Sequence, residues 1–239
     1  MTGLQLHAVF DVLAWLCAAL AARWTMRRTP AARLLPLAHR LPYLVALTCG
    51  AAVGAYGLGS LNLYLSGAPG VARSIEGGLA GGILFVELYK RAAGLTQRTG
   101  ARYALPLAVG VAVGRIGCFL AGLEDFTHGV PTDLPIGYDF GDGVRRHAVQ
   151  LYESAAMGLF AVFYVIALRR QNAWIAANGF HLAVFYYGAQ RFLWEFLKPY
   201  GKIIGPFTLF HFLSMMLMIY AVTMLLSAQR RNDERPLPA

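Results

Sequence analysis

The sequence predicts an all-α fold: a polytopic membrane helical bundle of about seven transmembrane helices, N-terminus outside and C-terminus cytoplasmic. Three observations predict it. Of 239 residues 57% are hydrophobic and 14% charged, with a mean hydropathy of +0.51, more apolar than soluble chains, where about half the residues are apolar. The apolar residues come in runs of about twenty, the length that crosses a bilayer. The basic residues alternate between the two sides of that series, as positive-inside orientation requires.

The first run, 6–22, has neither a basic leader nor an A-x-A cleavage site, so a span is expected rather than a cleaved signal. Spans at 42–65, 75–93, 103–122, 149–168, 175–196 and 207–227 follow. The third is glycine-rich and suits a re-entrant segment as well as a crossing. Loops 23–41, 90–102 and 169–174 and the tail 228–239 carry 5, 4, 2 and 3 Lys and Arg, while the opposite side carries Arg73, Arg145, Arg146, Lys198 and Lys202. The net charge of +9 is therefore a topology signal. Basic residues spread between spans do not form the single face that nucleic acid requires. Neither a repeat nor a linker divides residues 1–239, so one integral membrane domain is expected, acting as a monomer.

Residues 123–148 form the longest external loop, between spans four and five, with Gly, Pro and Asp at turn-forming intervals. Loops of this length are usually functional or disordered, which leaves a solvated loop and a lid over a site as alternatives. Its Asp125, Asp133, Asp139 and Asp142 lack the one-apart acidic pattern of a calcium loop. Cys17, Cys49 and Cys118 have the spacing of neither a disulfide framework nor a metal site. No metal and no cofactor is expected.

Arg115 and Arg191 fall inside spans four and six. A guanidinium in hydrocarbon costs at least about 2.5 kcal/mol, so such residues usually line a polar cavity, and arginine grips phosphate bidentately. Arg115 precedes Gly122 by seven residues and Arg191 precedes Phe196 by five, roughly 10 Å and 8 Å below the outer ends at about 1.5 Å per residue. Two cations at similar depth suit a lipid phosphate. Local pairing of Arg191 with Glu195 at i+4 is the plainer alternative; Arg115 has no acid on its own helix. Tyr187 lies one turn before Arg191 on the same face. His147, Gln150 and Glu153 follow one another at i, i+3 and i+6, with Tyr152 beside them. That pattern fits a polar helix start or a hydrogen-bonded wall around a headgroup. Gly114, Gly117 and Gly122 thin one side of span four, for a lipid or for a packed helix.

Five segments, SIEGGLAGG (74–82), GRIGCFLAG (114–122), PTDLP (131–135), RRHAVQLYES (145–154) and YGAQRFLWEFLKP (187–199), together resemble the prolipoprotein diacylglyceryl transferases of bacterial inner membranes. The resemblance runs from about residue 50 to 200. It implies a multi-pass inner-membrane enzyme that transfers diacylglyceryl from phosphatidylglycerol to the lipobox cysteine thiol of a prolipoprotein signal peptide. A thioether forms and glycerol phosphate is released. It further implies that Arg115 and Arg191 act on the lipid phosphate. Catalytic candidates are thus Arg115, Arg191, Glu76 and His147, and substrate-binding candidates are Tyr187, Cys118, Gly117, Gln150, Tyr152, Glu153 and Glu195. For the base that activates the thiol, Glu76, His147 and Glu195 stay open.

The chain departs from the family pattern at the same places. Glu76 stands where many members have histidine, Cys118 where GRIGNF has asparagine, Ala121-Gly122-Leu123 where Asn-Gly-Glu is usual, and Ala148 where proline is usual. These changes admit a non-catalytic or altered-substrate relative. A lipid transporter would also use buried arginines, although the repeats expected of one are missing. Leu16 before Cys17 is too large for a lipobox, so the chain is not expected to be a lipoprotein itself.

Overall fold

Seven α-helices account for most of the computed structural model, which describes residues 3–28 and 35–233, the side chains of 4 and 228–233 excepted. They are α1 (Gly3–Arg28), α2 (Leu37–Leu65), α3 (Ile75–Ala92), α4 (Ala104–Ala121), α5 (Val149–Arg169), α6 (Ala173–Glu195) and α7 (Leu209–Asp233). Part of the first basic loop and the end of the basic tail lie outside the described residues. Five of the helices are long and apolar enough to cross a membrane: α1, α2, α4 with its flanking 3-10 turns, α5 and α7. The other two are diluted by polar residues. α3 carries Glu76, Glu87, Lys90 and Arg91 in 18 residues, and α6 buries Asn178, His181, Gln190, Arg191 and Glu195.

Helix ends obey local rules. Ser74 caps α3 by accepting the Gly77 amide at 3.0 Å, and Asn172 caps α6 by accepting that of Ile175 at 3.0 Å, each satisfying an N–H that the first turn leaves orphaned. Gly122 ends α4 at φ +70°, a conformation that costs glycine little. The central core joins α4 through α7, with Leu105, Val111, Met157, Phe160, Tyr164, Val184, Tyr187 and Leu217 buried together. α1 packs along α4, and α2 along α3.

The loop after α4 has elements of its own. A 3-10 turn (Gly122–Asp125) leads to a short antiparallel pair, β1 (Tyr138–Asp139) and β2 (Arg145–Arg146). Its acids cap turns: Asp139 Oδ1 accepts the amides of Gly141 and Gly143 at 2.8 and 3.1 Å. Arg146 donates to Asp142 at 2.7 Å and thereby holds that exposed carboxyl below its ordinary range. Rings of Tyr138 and Phe140 pack on Phe119 at 4.8 and 5.7 Å between centroids. The Val130 amide reaches the Leu197 carbonyl at 2.7 Å, tying the loop to the end of α6. A second antiparallel pair, β3 (Lys202–Ile204) and β4 (Phe207–Thr208), leads into α7.

The α2–α3 contact depends on missing side chains. A Cβ on Gly54 would collide with the backbone of Gly77 and Gly81, and one on Gly50 with Gly81 and Phe85. Backbones this close replace hydrophobic driving force with packing, as small-residue faces do in membranes. Gly57, on the same helix, would meet nothing within 4 Å. Gly54→Val should therefore cost about 1–3 kcal/mol through overpacking while Gly57→Ala stays near neutral, read as thermal unfolding in detergent.

Candidate active site

At the bundle end where α4 and α6 terminate and α3, α5 and α7 begin, three cations and three carboxylates are buried together. Glu153, in the second turn of α5, is their centre. Its Oε2 pairs with Arg115 Nε from α4, and its Oε1 accepts from Arg191 Nη1 of α6 at 2.8 Å and lies 3.0 Å from Lys198 Nζ. Arg191 also donates from Nε to Glu76 Oε2 of α3 at 3.1 Å and pairs through Nη2 with Glu195 Oε2 at 2.8 Å. The i+4 pair expected as an alternative thus forms, as one arm of a larger network. Side-chain exposure is 7% for Arg115, 3% for Arg191 and 0% for Glu153 and Lys198.

The remaining oxygens are satisfied from α7 and the strand before it. Ser214 donates to Glu76 Oε1 at 2.6 Å, and the Thr208 hydroxyl to Glu195 Oε1 at 2.6 Å. The Thr208 amide in turn donates to His211 Nδ1 at 3.0 Å. The ring of Phe210 lies under the Arg191 guanidinium at 5.3 Å. Buried charges are tolerated when they are paired, and every member of this set faces a partner of opposite charge, with formal charges that cancel. Among the described residues Arg115 has a single carboxylate partner, Glu153; its Nη1 instead lies 3.8 Å from Cys118 Sγ.

Tyr187, fully buried on α6, is within electrostatic reach of Glu76, Arg115, Arg191 and Glu153. Its hydroxyl makes no hydrogen bond among the described residues, and neither do the amide atoms of the fully buried Gln150. Beside the cluster, a largely apolar cavity of about 490 Å³ runs between α1, α2, α3, α4, α6 and α7, with Glu87, Lys90 and Arg98 also in its wall. Asp11, Ile75, Gly78 and Gly114 belong to its wall, but neither Arg115 nor Arg191 does. It adjoins the charged cluster rather than containing it.

A model of the prolipoprotein diacylglyceryl transferase family matches residues 3–227. The chain belongs to the prolipoprotein diacylglyceryl transferase family. Similar proteins named phosphatidylglycerol–prolipoprotein diacylglyceryl transferase include that of Geobacter sulfurreducens, 32% identical over 72% of this chain and 70% of the relative. That of Bordetella avium is 30% identical over 68% of this chain and 63% of the relative. That of Teredinibacter turnerae is 38% identical over 55% of this chain and 46% of the relative. No solved structure matches the chain.

Within this transferase-family fold, most of the residues singled out by sequence converge. Arg115, Arg191, Glu76, Glu153 and Glu195 form the network, Cys118 touches it, and Tyr187 and Gln150 are buried beside it. His147 and Tyr152 lie apart: the His147 ring is 3.3 Å from the Tyr152 hydroxyl, and Tyr152 packs on Trp194 at 5.4 Å. Gly117 faces Phe10 of α1, whose Cβ would lie 2.6 Å from an added Cβ, so helix packing accounts for it. Sequence reasoning missed Lys198, Thr208 and Ser214. A lysine just past a span reads as an interfacial anchor, and small hydroxyls in an apolar run carry no periodic signal; only the position of Lys198 inside YGAQRFLWEFLKP marks it out.

Glu153→Gln would leave three buried cations against a neutral amide. Removing one partner of a buried pair costs about 3–5 kcal/mol, so this variant should lose stability on that scale in a detergent melt. Thr208→Val removes one hydrogen bond to a buried charge and should cost about 1–3 kcal/mol.

Proposed function

We propose that the chain transfers the diacylglyceryl group of phosphatidylglycerol to the lipobox cysteine thiol of a prolipoprotein, forming a thioether and releasing glycerol phosphate. Family membership supports the reaction. The observation that carries the site is the shared carboxylate: Arg115 and Arg191 both rest on Glu153, so one lipid phosphate placed there meets two fixed guanidinium groups. In this reading Arg115, with one carboxylate partner among the described residues, meets the phosphate first. Arg191 then exchanges one of its three carboxylates for a phosphate oxygen. As the bond between the glyceryl carbon and the phosphate oxygen breaks, charge builds on the leaving group. Donors already oriented in a dry site stabilise it without reorganisation.

Buried polar atoms are almost always paired, and the Tyr187 hydroxyl and Gln150 amide are the atoms that a headgroup glycerol would satisfy. The acyl chains would lie in the adjoining apolar cavity. All seven helices would be embedded, α3 and α6 screened by their neighbours, with the N-terminus outside and the chain in the bacterial inner membrane. The site then lies in the outer leaflet, where a signal peptide presents its thiol. A non-catalytic or altered-substrate relative is the second reading, favoured by Glu76 and Cys118 at positions where the family pattern has histidine and asparagine.

Incubating purified protein with phosphatidylglycerol micelles and a lipobox peptide should give the mass gain of a diacylglyceryl thioether and free glycerol phosphate. Arg115→Ala should lower the rate by about 10²–10³-fold or more, the loss typical of one preorganised donor, while the protein still inserts in membranes. Undiminished transfer by Arg115→Ala would sink the clamp. Absence of product from the unaltered protein would favour the second reading.

A further inference from the structure

Three side chains that sequence spacing kept apart meet beside Arg115. His7 comes from the start of α1, Cys118 from the last turn of α4, and Asp125 from the 3-10 turn that follows. His7 Nε2 lies 3.6 Å from Cys118 Sγ and 3.6 Å from Asp125 Oδ1, and the three ligand atoms fall within 4.8 Å of one another. A tetrahedral zinc ion with bonds of about 2.3 Å to sulfur and about 2.0 Å to nitrogen and oxygen has edges of roughly 3.3–3.6 Å between its ligands. Both measured separations match such edges or close to them with a shift of a few tenths of an ångström.

We propose that His7, Cys118 and Asp125 bind a zinc ion. The donor set is sulfur, imidazole and carboxylate, which suits zinc rather than magnesium or calcium. A thiolate and a carboxylate cancel the charge of the ion. Supporting contacts are built as metal sites need them. Asp11 Oδ2 lies 3.2 Å from His7 Nδ1, which leaves Nε2 free to ligate, and Arg73 Nη2 lies 3.7 Å from the same Asp11 oxygen. Thr127 donates to Asp125 Oδ2 at 2.8 Å, leaving Oδ1 for the ion. Among the described residues Arg115 Nη1 lies 3.8 Å from the sulfur and already has Glu153 as its counter-charge.

Three protein ligands leave a fourth position, the arrangement of catalytic zinc. Resting on the transferase reading, that position takes the incoming cysteine. A thiol that coordinates zinc is deprotonated outright, so its proton leaves to water at this end of the bundle. The sulfur lone pair then forms the bond to the glyceryl carbon. The carbon–oxygen bond breaks, and its electron pair stays with glycerol phosphate. This gives the thiol an activator that the network does not offer, since Glu76 and Glu195 are each held by Arg191 and by a hydroxyl.

The test is cobalt substitution in detergent after chelator treatment. The protein should bind one cobalt ion per chain, with the visible absorption of tetrahedral cobalt and a near-ultraviolet thiolate-to-metal band. Cys118→Asn, which installs the residue of the GRIGNF pattern, should abolish the thiolate band, and Cys49→Ala should retain it. Asp11→Asn should weaken cobalt binding about 10–100-fold with the band unshifted, as loss of an outer hydrogen-bond partner does. A thiolate band that survives Cys118→Asn, or no cobalt uptake by the unaltered protein, overturns the site. Thioether formation at full rate in metal-stripped protein overturns its role in thiol activation while leaving the transferase reading intact. Cobalt bound as expected without any thioether product upholds the site and overturns that reading instead.

Discussion

Glu153 meets cations from two sides: Arg115 from α4, and Arg191 and Lys198 from α6 and the turn after it. A carboxylate in an apolar interior is untenable alone, and so is each cation; together they remain only if every distance holds. This one side chain therefore sets the register of α4, α5 and α6 against one another. Glu76 extends the constraint to α3 through Arg191 and to α7 through Ser214. Five of the seven helices are thus referenced to a single guanidinium–carboxylate pair.

Balance of charge follows from the same geometry. Three cations and three carboxylates make a cluster that lipid can surround, yet its members differ in how firmly they are held. Arg191 has all three nitrogens engaged, whereas among the described residues Arg115 has one carboxylate and a cysteine. An anion arriving in the cluster meets a fixed frame in which Arg115 has the fewest carboxylate partners among the described residues. Such a frame is oriented before substrate enters, which is the condition for electrostatic catalysis.

The helical bundle was legible from apolar run lengths, and the two arginines from the cost of placing them there. Motif order then pointed to Glu76, Glu153 and Glu195 as companions, and the structure brings all of them to Arg191. What escaped notice had physical reasons. Ser214 and Thr208 are small and sit where apolar neighbours dominate. His7 and Asp125 lie far from each other in sequence, and nothing in their local spacing announces that α1 crosses α4 at Gly117. The loop after α4 reads as Gly, Pro and Asp without periodicity. Its order comes from side-chain caps at Asp139 and Asp142 and from ring packing on Phe119, contacts that carry no pattern along the chain.

α3 and α6 are too polar to count among the helices apolar enough to cross a membrane alone, yet they contribute Glu76, Arg191 and Glu195. Their charges are completed only by residues later in the chain: Glu76 by Arg191 and Ser214, and Glu195 by Thr208. The last hydroxyl donors, Thr208 and Ser214, belong to the strand before α7 and to α7 itself. Assembly of the charged cluster therefore waits until β4 and α7 have been made. A chain made only as far as α6 would hold Glu76 and Glu195 each without its hydroxyl donor, so the cluster closes when β4 and α7 dock.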